Sequence, residues 1–345
     1  MTIKTAVVGL GYWGPNLARV TAESRDFELA VLCDADDKRL EPLARRYPGV
    51  ETTGSFDSVI GNAGIEAVVI ATPAETHHRL ALTALQAGKH VLVEKPLART
   101  VAECQELIDA AAAASVVLMP GHVFLYNAAV RKVREYITSG ELGEIYYAYS
   151  QRLNLGQVRQ DVNALWNFAP HDLSILDWWF DASPERISAA GFSYIQPGIE
   201  DVVFMTLEYP NGVGANVHIS WLDPHKIRLM TVVGSEKMVV YDDTSPDARI
   251  RLYDKGVVRK AIDVTEQSLG SFDTFAQFQL LLRAGDVLIP KIDFVEPLQL
   301  EFADFAAAIR REREPISNGD LGLRVVRSLV AAQTSMEASR PVPVP

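Results

Sequence analysis

Thr5-Ala6-Val7-Val8-Gly9-Leu10-Gly11-Tyr12-Trp13-Gly14 reads as an apolar strand that runs straight into a Gly-x-Gly-x-x-Gly turn. Asp34 follows about 20 positions after that turn, at the end of a second apolar run from Leu29 to Cys33. The three glycines have separate duties. Gly9 allows the tight turn, Gly11 lets a pyrophosphate approach bare backbone, and Gly14 lets the next helix pack close to the strand. That helix directs its N-terminal amides and partial positive charge at the phosphates. Strand, helix start and acidic residue together point to a dinucleotide site, with Tyr12 and Trp13 as the side chains of its loop.

Working outward, the chain of 345 residues is too long for one ordinary core, so two domains are expected. Apolar residues make up 48% and charged residues 22%, an ordinary globular composition. No apolar run reaches the roughly 18 residues needed to cross a bilayer. The opening Met1-Thr2-Ile3-Lys4 passes directly into the first strand, which leaves no space for a signal peptide. A net charge of -11 argues against nucleic acid or an anionic membrane as partner, while leaving an anionic small ligand open. Cys33 and Cys104 match no metal spacing and read as free buried thiols in a reducing compartment. No metal is expected, and the expected location is the cytoplasm.

The first third alternates strand and helix. Strands are read at Thr5–Val8, Leu29–Cys33, Ala67–Ala71, His90–Val93 and Val116–Met119, with helices near Pro15–Glu23, Lys38–Tyr47, Thr76–Ala87 and Val101–Ala113. Continuous Val/Ile/Leu runs separated by helices predict a doubly wound parallel sheet covered on both faces. After Gly121 the pattern changes. A helix near Ala128–Ser139 is followed by strands at Ile145–Leu153, Val202–Glu208, Gly214–Trp221 and Ile227–Val233, with Pro210-Asn211-Gly212 as a hairpin turn. Helices return at Pro297–Arg311 and Leu321–Ala338. This succession predicts an α+β domain with a largely antiparallel, open-faced sheet. The expected division is 1–121 for the dinucleotide and 122–345 for substrate and oligomerisation, with a ligand cleft at the junction.

Two clusters carry the chemistry. Glu94-Lys95-Pro96 ends an apolar strand near the cofactor loop, where a reacting group belongs in such a sheet. There Lys95 can donate to a substrate oxygen, and partial burial eases its deprotonation. Trp166-Asn167-Phe168-Ala169-Pro170-His171-Asp172 opens a helix through Trp179, and His171 can relay a proton near neutral pH. A surface lysine after a strand, a satisfied structural histidine and a helix-capping Asp172 are the plainer alternatives.

Gly11-Tyr12-Trp13-Gly14-Pro15-Asn16-Leu17, Glu94-Lys95-Pro96, His171-Asp172 and the closing Ser317-Asn318-Gly319 to Ser335 pattern together resemble the Gfo/Idh/MocA oxidoreductases across nearly the whole chain. That family includes glucose–fructose oxidoreductase, inositol dehydrogenase and sugar-nucleotide dehydrogenases. The resemblance implies that Lys95 and His171 are the catalytic pair and that the Lys95–Pro96 bond is cis. It implies an NAD(P)-dependent oxidoreductase passing hydride between nicotinamide and a secondary alcohol or ketone of a sugar, inositol or nucleotide sugar. One departure stands out: the family often has an aspartate four residues before the histidine, and here that residue is Asn167. Asparagine can orient a hydroxyl or His171 but cannot stabilise an imidazolium by charge, a role left to Asp161 or Asp172.

NAD is favoured over NADP, because Asp34 accepts from a ribose 2′-hydroxyl and repels a 2′-phosphate. Arg39, Arg45 and Arg46 fall on a helix and read as a solvated face. Thr72 and Pro73 are assigned to the adenine–ribose side, and His77 or His78 to the nicotinamide half. Substrate candidates are Tyr126 and Asn127 at the junction, then Arg152, Asn154, Arg159, Asp161, Asn163 and Trp166 on or after a strand leading to His171. Lys226 and Arg228 would meet a phosphate of a nucleotide sugar. Val202, Phe204 and Thr206 on an open sheet face predict a homodimer or homotetramer. The competing functions are a non-catalytic NAD- and sugar-binding regulator and an NAD-dependent glycosidase.

Overall fold

The computed structural model describes residues 2–156, 158–257 and 282–345. Six parallel strands form the first sheet: β1 (Ile3–Val8), β2 (Phe27–Cys33), β3 (Glu51–Thr53), β4 (Ala67–Ile70), β5 (His90–Glu94) and β6 (Leu118–Gly121), in the order β3-β2-β1-β4-β5-β6. Helices α1 (Gly14–Glu23), α2 (Asp37–Arg46), α3 (Phe56–Gly61), α4 (Ala74–Gln86) and α5 (Val101–Ala114) connect them. β4 and the middle of β5 are buried on both faces, as their unbroken Val/Ile/Leu runs require. The order reverses between β1 and β4, and a crevice at the carboxyl ends of these strands is the binding position of such sheets. The short β3 and α3 lacked enough apolar periodicity to be read from sequence.

The second sheet has nine strands. They are β7 (Ile145–Leu153), β8 (Arg186–Phe192), β9 (Val202–Glu208), β10 (Gly214–Ser220), β11 (Ile227–Gly234), β12 (Met238–Asp242), β13 (Ile250–Val257), β14 (Leu282–Leu288) and β15 (Val342–Pro343). Their order is β14-β13-β12-β11-β7-β10-β9-β8-β15. Only the β7–β10 pair among these is parallel, so the sheet is largely antiparallel as expected. In the turn between β9 and β10, Asn211 and Gly212 both take positive φ, 64° and 77°. β9 alternates buried Val203, Met205 and Leu207 with exposed Phe204, Thr206 and Glu208, so one face of the sheet lies open.

Helices α6 (Ala128–Thr138), α7 (Ala164–Phe180), α8 (Pro297–Ile309) and α9 (Gly319–Ala338) follow among the described residues. α8 and α9 return to the first sheet. Phe302 and Phe305 of α8 pack on Phe27 of β2 with ring centroids 5.6 and 5.8 Å apart, and Gly322 of α9 lies against Leu97 and Pro120. Burying side chains of this size contributes about 1.5–3 kcal/mol each, which joins the two sheets tightly. α7 starts at Ala164, capped by Asn163, whose Oδ1 accepts from Trp166 N at 3.1 Å. His171 and Asp172 therefore sit mid-helix, not at its start. Pro170 lies within the helix, and its ring is buried.

Candidate active site

The glycine turn is shaped by contacts that leave no room for side chains. Gly9 has φ +90°, and a Cβ there would lie 2.6 Å from the backbone of Ala71 and Thr72. A Cβ on Gly14 would lie 2.1 Å from the Gly9 carbonyl oxygen. At Gly11 the nearest atom to a Cβ is Arg39 Nη1 at 3.7 Å, so that stretch of backbone presents an open face. No side chain caps α1 at Trp13, and Asn16 N turns back to the Trp13 carbonyl at 2.9 Å, so the positive end of the helix dipole lies at the glycine turn. Asp34 is buried: its Oδ2 accepts from Leu10 N at 2.6 Å and its Oδ1 from Asp36 N at 2.9 Å. Each oxygen keeps a lone pair for a ribose hydroxyl. Arg39 Nη1 stands 3.7 Å from Asp34 Oδ2, while Tyr12 projects into solvent. These residues fit a dinucleotide.

The sequence assignment of His77 and His78 to the nicotinamide needs correction. His77 is buried, with Nδ1 2.8 Å from the Pro96 carbonyl and Nε2 2.9 Å from the Thr72 carbonyl. It braces the loop after β4 against the loop after β5. His78 meets Glu106 at 2.8 Å. Thr72 abuts Gly9, shares a 2.6 Å hydroxyl contact with Thr76, and precedes Pro73 at the N-cap of α4.

At the end of β5, Glu94 accepts from Lys95 N at 3.2 Å and from the Trp13 indole. It pairs in register with Gly121, where a Cβ would sit 3.1 Å from Glu94 Oε1. Burial raises the Glu94 carboxyl to about 7, against the pull of Lys95. The Lys95–Pro96 bond is cis. Lys95 Nζ donates to the Asn167 main-chain carbonyl at 3.0 Å, one helical turn before His171. The backbone of Asn167 thus supplies this contact; its side chain makes no hydrogen bond to Lys95 or His171. Burial lowers Lys95 to about 8, with Glu94 opposing and Arg152 and Arg159 adding to the fall. His171 is held well below an ordinary imidazole, first by burial and then by Lys95, Arg152, His122 and Arg228. Its Nδ1 has no partner among the described residues.

His171 also lines a cavity of about 120 Å³ with Phe124, Arg152, Asn154, Lys226 and Arg228. Its ring meets Phe124 edge-on at 4.8 Å. Arg152 and Arg228 lie over the same phenyl ring, 4.8 and 5.8 Å from its centre. Asp172 holds Arg152 through two bonds of 2.7 and 3.0 Å, and both groups are buried. That settles the alternatives for Asp172: it pairs with Arg152 and caps nothing.

Other substrate candidates are occupied elsewhere. The Tyr126 hydroxyl is buried and donates to Asp304 at 2.8 Å. Asn127 caps α6 through Ala129 N and reaches Asp243 at 3.3 Å. Asn163 caps α7 and bonds Glu200 and Gln333. Trp166 packs against both apolar clusters, one shared by the two sheets and one on the first sheet alone. Arg159 and Asp161 pair with each other at the surface. Sequence reasoning passed over Phe124, Asp243 and His122. His122 is fully buried, neither ring nitrogen has a partner among the described residues, and burial near Lys95 lowers it to about 3. All three needed the fold: nothing in the sequence around the junction distinguishes Phe124 from Tyr126.

Residues 3–122 match a family model described as "Oxidoreductase family, NAD-binding Rossmann fold", and residues 130–240 match the "GFO/IDH/MocA C-terminal domain". The chain belongs to the Gfo/Idh/MocA oxidoreductase family. Its N-terminal domain is an NAD-binding Rossmann fold. Among curated members it is 28% identical over 287 residues to inositol 2-dehydrogenase 3 of Saccharopolyspora erythraea, covering 80% of this chain and 84% of the relative. It is 27% identical to 2,7-anhydro-N-acetylneuraminate hydratase of Escherichia coli, over 61% of this chain and 59% of the relative. The match spans 59–60% of the length of the first curated relatives. A crystal structure of an oxidoreductase from Magnetospirillum magnetotacticum superimposes with a TM-score of 0.79 at 29% identity, covering 96% of this chain and 99% of that one. Among the described residues no helix is long and apolar enough to cross a membrane, and no group of His, Cys, Asp or Glu could hold a metal.

Proposed function

We propose that this protein is an NAD-dependent dehydrogenase, or in reverse a ketoreductase, acting on a secondary alcohol of a sugar, inositol or nucleotide sugar. The units are taken as residues 1–121 for the dinucleotide and 122–345 for substrate. The observation that carries the reading is Lys95 anchored to the Asn167 carbonyl, one turn from a His171 that lines a cavity and has an unpartnered ring nitrogen. NAD, when bound, supplies the hydride acceptor. The ammonium of Lys95 positions and polarises the reacting oxygen. His171, neutral because burial and cations oppose its protonation, accepts the hydroxyl proton in oxidation and returns it in reduction. Glu94, between Trp13 and Lys95, joins the cofactor loop to the reacting lysine.

The test is NADH absorbance on incubation with NAD or NADH and a panel of sugars, inositols and nucleotide sugars. Net NADH change supports the reading, and binding without turnover supports a regulator instead. Similarity to a hydratase favours a second reading, in which product forms without net NADH change. Replacing His171 by Ala should lower kcat roughly 100-fold or more while NAD still binds; turnover near wild type would remove His171 from the mechanism. We also place a homodimer or homotetramer contact on the open sheet face, where Phe192, Tyr194 and Phe204 are exposed. A monomer by light scattering would refute that contact.

A further inference from the structure

The pairing of β7 with β11 sets Arg152 directly opposite Arg228. Like charges at facing positions are unfavourable in a sheet, so each guanidinium needs a counter-charge. Arg152 has a complete one in Asp172, which meets it bidentately. Arg228 has half of one. Its Nη1 reaches Asp243 Oδ2 at 3.2 Å, while the same carboxylate also accepts from Tyr241 and Asn127. The remaining donors of Arg228 make no hydrogen bond among the described residues. Beside it, Lys226 is exposed, lines the same cavity and has no ion pair among the described residues.

Three cations line this pocket, Arg152, Lys226 and Arg228, and two carboxylates, Asp172 and Asp243, answer them. The protein as a whole carries a net charge of -11. A cavity with excess positive charge on an acidic molecule selects its ligand by sign. A neutral polyol needs hydroxyl partners only and gives nothing back for two arginines brought face to face.

We propose that the substrate bears an anionic group, a carboxylate or a phosphate, which sits between Lys226 and the free edge of Arg228, next to His171. The inference rests on the dehydrogenase reading for the reaction but not for the binding. An anion held there also opposes the cations that surround His171 and makes the imidazole a better proton acceptor when substrate is present. Substrate recognition and base strength are then linked through one charge.

The experiment uses the full chain, with calorimetric titration of the NADH-loaded protein and initial rates with NAD. The probes are D-glucose against D-glucuronate for a carboxylate, and glucose 1-phosphate and UDP-glucose for a phosphate. At least one anion should bind about tenfold more tightly than D-glucose. In Lys226→Gln and in Arg228→Gln that preference should fall about tenfold, through KM more than kcat. Lys226 is exposed, so its variant keeps the fold and gives a readout even where Arg228→Gln unfolds. Preference for glucuronate assigns the group to a carboxylate, and preference for the phosphorylated probes assigns it to a phosphate. Equal binding of glucose and every anion overturns the proposal, as does a preference unchanged in both variants or no anion binding at millimolar concentration. NADH formed from neutral sugars as readily as from anions overturns the anion site and leaves the dehydrogenase. Lys226-dependent anion binding with no change in NADH does the reverse.

Discussion

Replacing Asp172 by Asn tests the central support of the pocket. The carboxylate grips Arg152 at 2.7 and 3.0 Å, and the two side chains are 2% and 7% exposed. Asparagine keeps the shape but removes the charge, leaving a buried guanidinium opposite Arg228 and close to Lys95. Removing one partner of a buried pair costs about 3–5 kcal/mol. The molecule contains its own control. Arg159 and Asp161 are also bidentate, but their side chains are 44% and 50% exposed, and Asp161→Asn should cost below about 1 kcal/mol. Urea unfolding followed by tryptophan fluorescence reads both, since Trp179 and Trp221 are buried beside the second sheet. Arg152→Met combined with Asp172→Leu should recover most of the lost stability, because neutral side chains of similar volume no longer strand a charge. Its activity should stay low. Equal losses from Asp172→Asn and Asp161→Asn would refute the claim that burial sets the strength of the pair.

Three further outcomes are expected. Gly14→Ala should weaken NAD binding at least tenfold and lower thermal stability, because the new Cβ would meet the Gly9 carbonyl at 2.1 Å and neither backbone segment can yield cheaply; unchanged affinity in a fluorescence titration would show that the turn can relax. Oxidation should lose rate as pH rises through about 8, where Lys95, lowered from 10.5, gives up the proton with which it holds the reacting oxygen. His171, held well below 6.5, should add no acid limb near that value; a flat profile from pH 7 to about 10 would remove Lys95 as donor. Asp34→Ser should increase the ratio of NADP to NAD use by weakening repulsion of a 2′-phosphate near Arg39; an unchanged ratio of kcat/KM values would remove Asp34 from cofactor selection.

The nucleotide half was legible because its signals are local. Val7 and Val8 lead directly into Gly9, Pro15 lies in the first turn of α1, and Asp34 directly follows β2, all in positions that a strand–turn–helix unit dictates without distant partners. Reading failed where a polar residue had two uses. Tyr126, Asn127 and Asn163 look like ligands for hydroxyls, yet one serves Asp304 and two cap helices. His77 looked like a cofactor contact and instead braces two loops. The stretch from Trp166 to Asp172 reads as the opening of a helix, which would put His171 near its start. The helix had begun two turns earlier at Asn163.

What the chain by itself determined was which residues become strands, where bare backbone awaits a phosphate, and that a lysine and a histidine stand near the junction of two architectures. These follow from side-chain periodicity and from the steric freedom of glycine, which act within a few residues. Tertiary structure alone decided that Arg152 faces Arg228, that both lie over Phe124, and that Asp172 is spent on one of them while Asp243 is divided. Strand register and helix docking join residues 20 to more than 100 positions apart. Charge in a pocket depends on which of those distant groups end up within a few ångströms of each other in a low-dielectric interior.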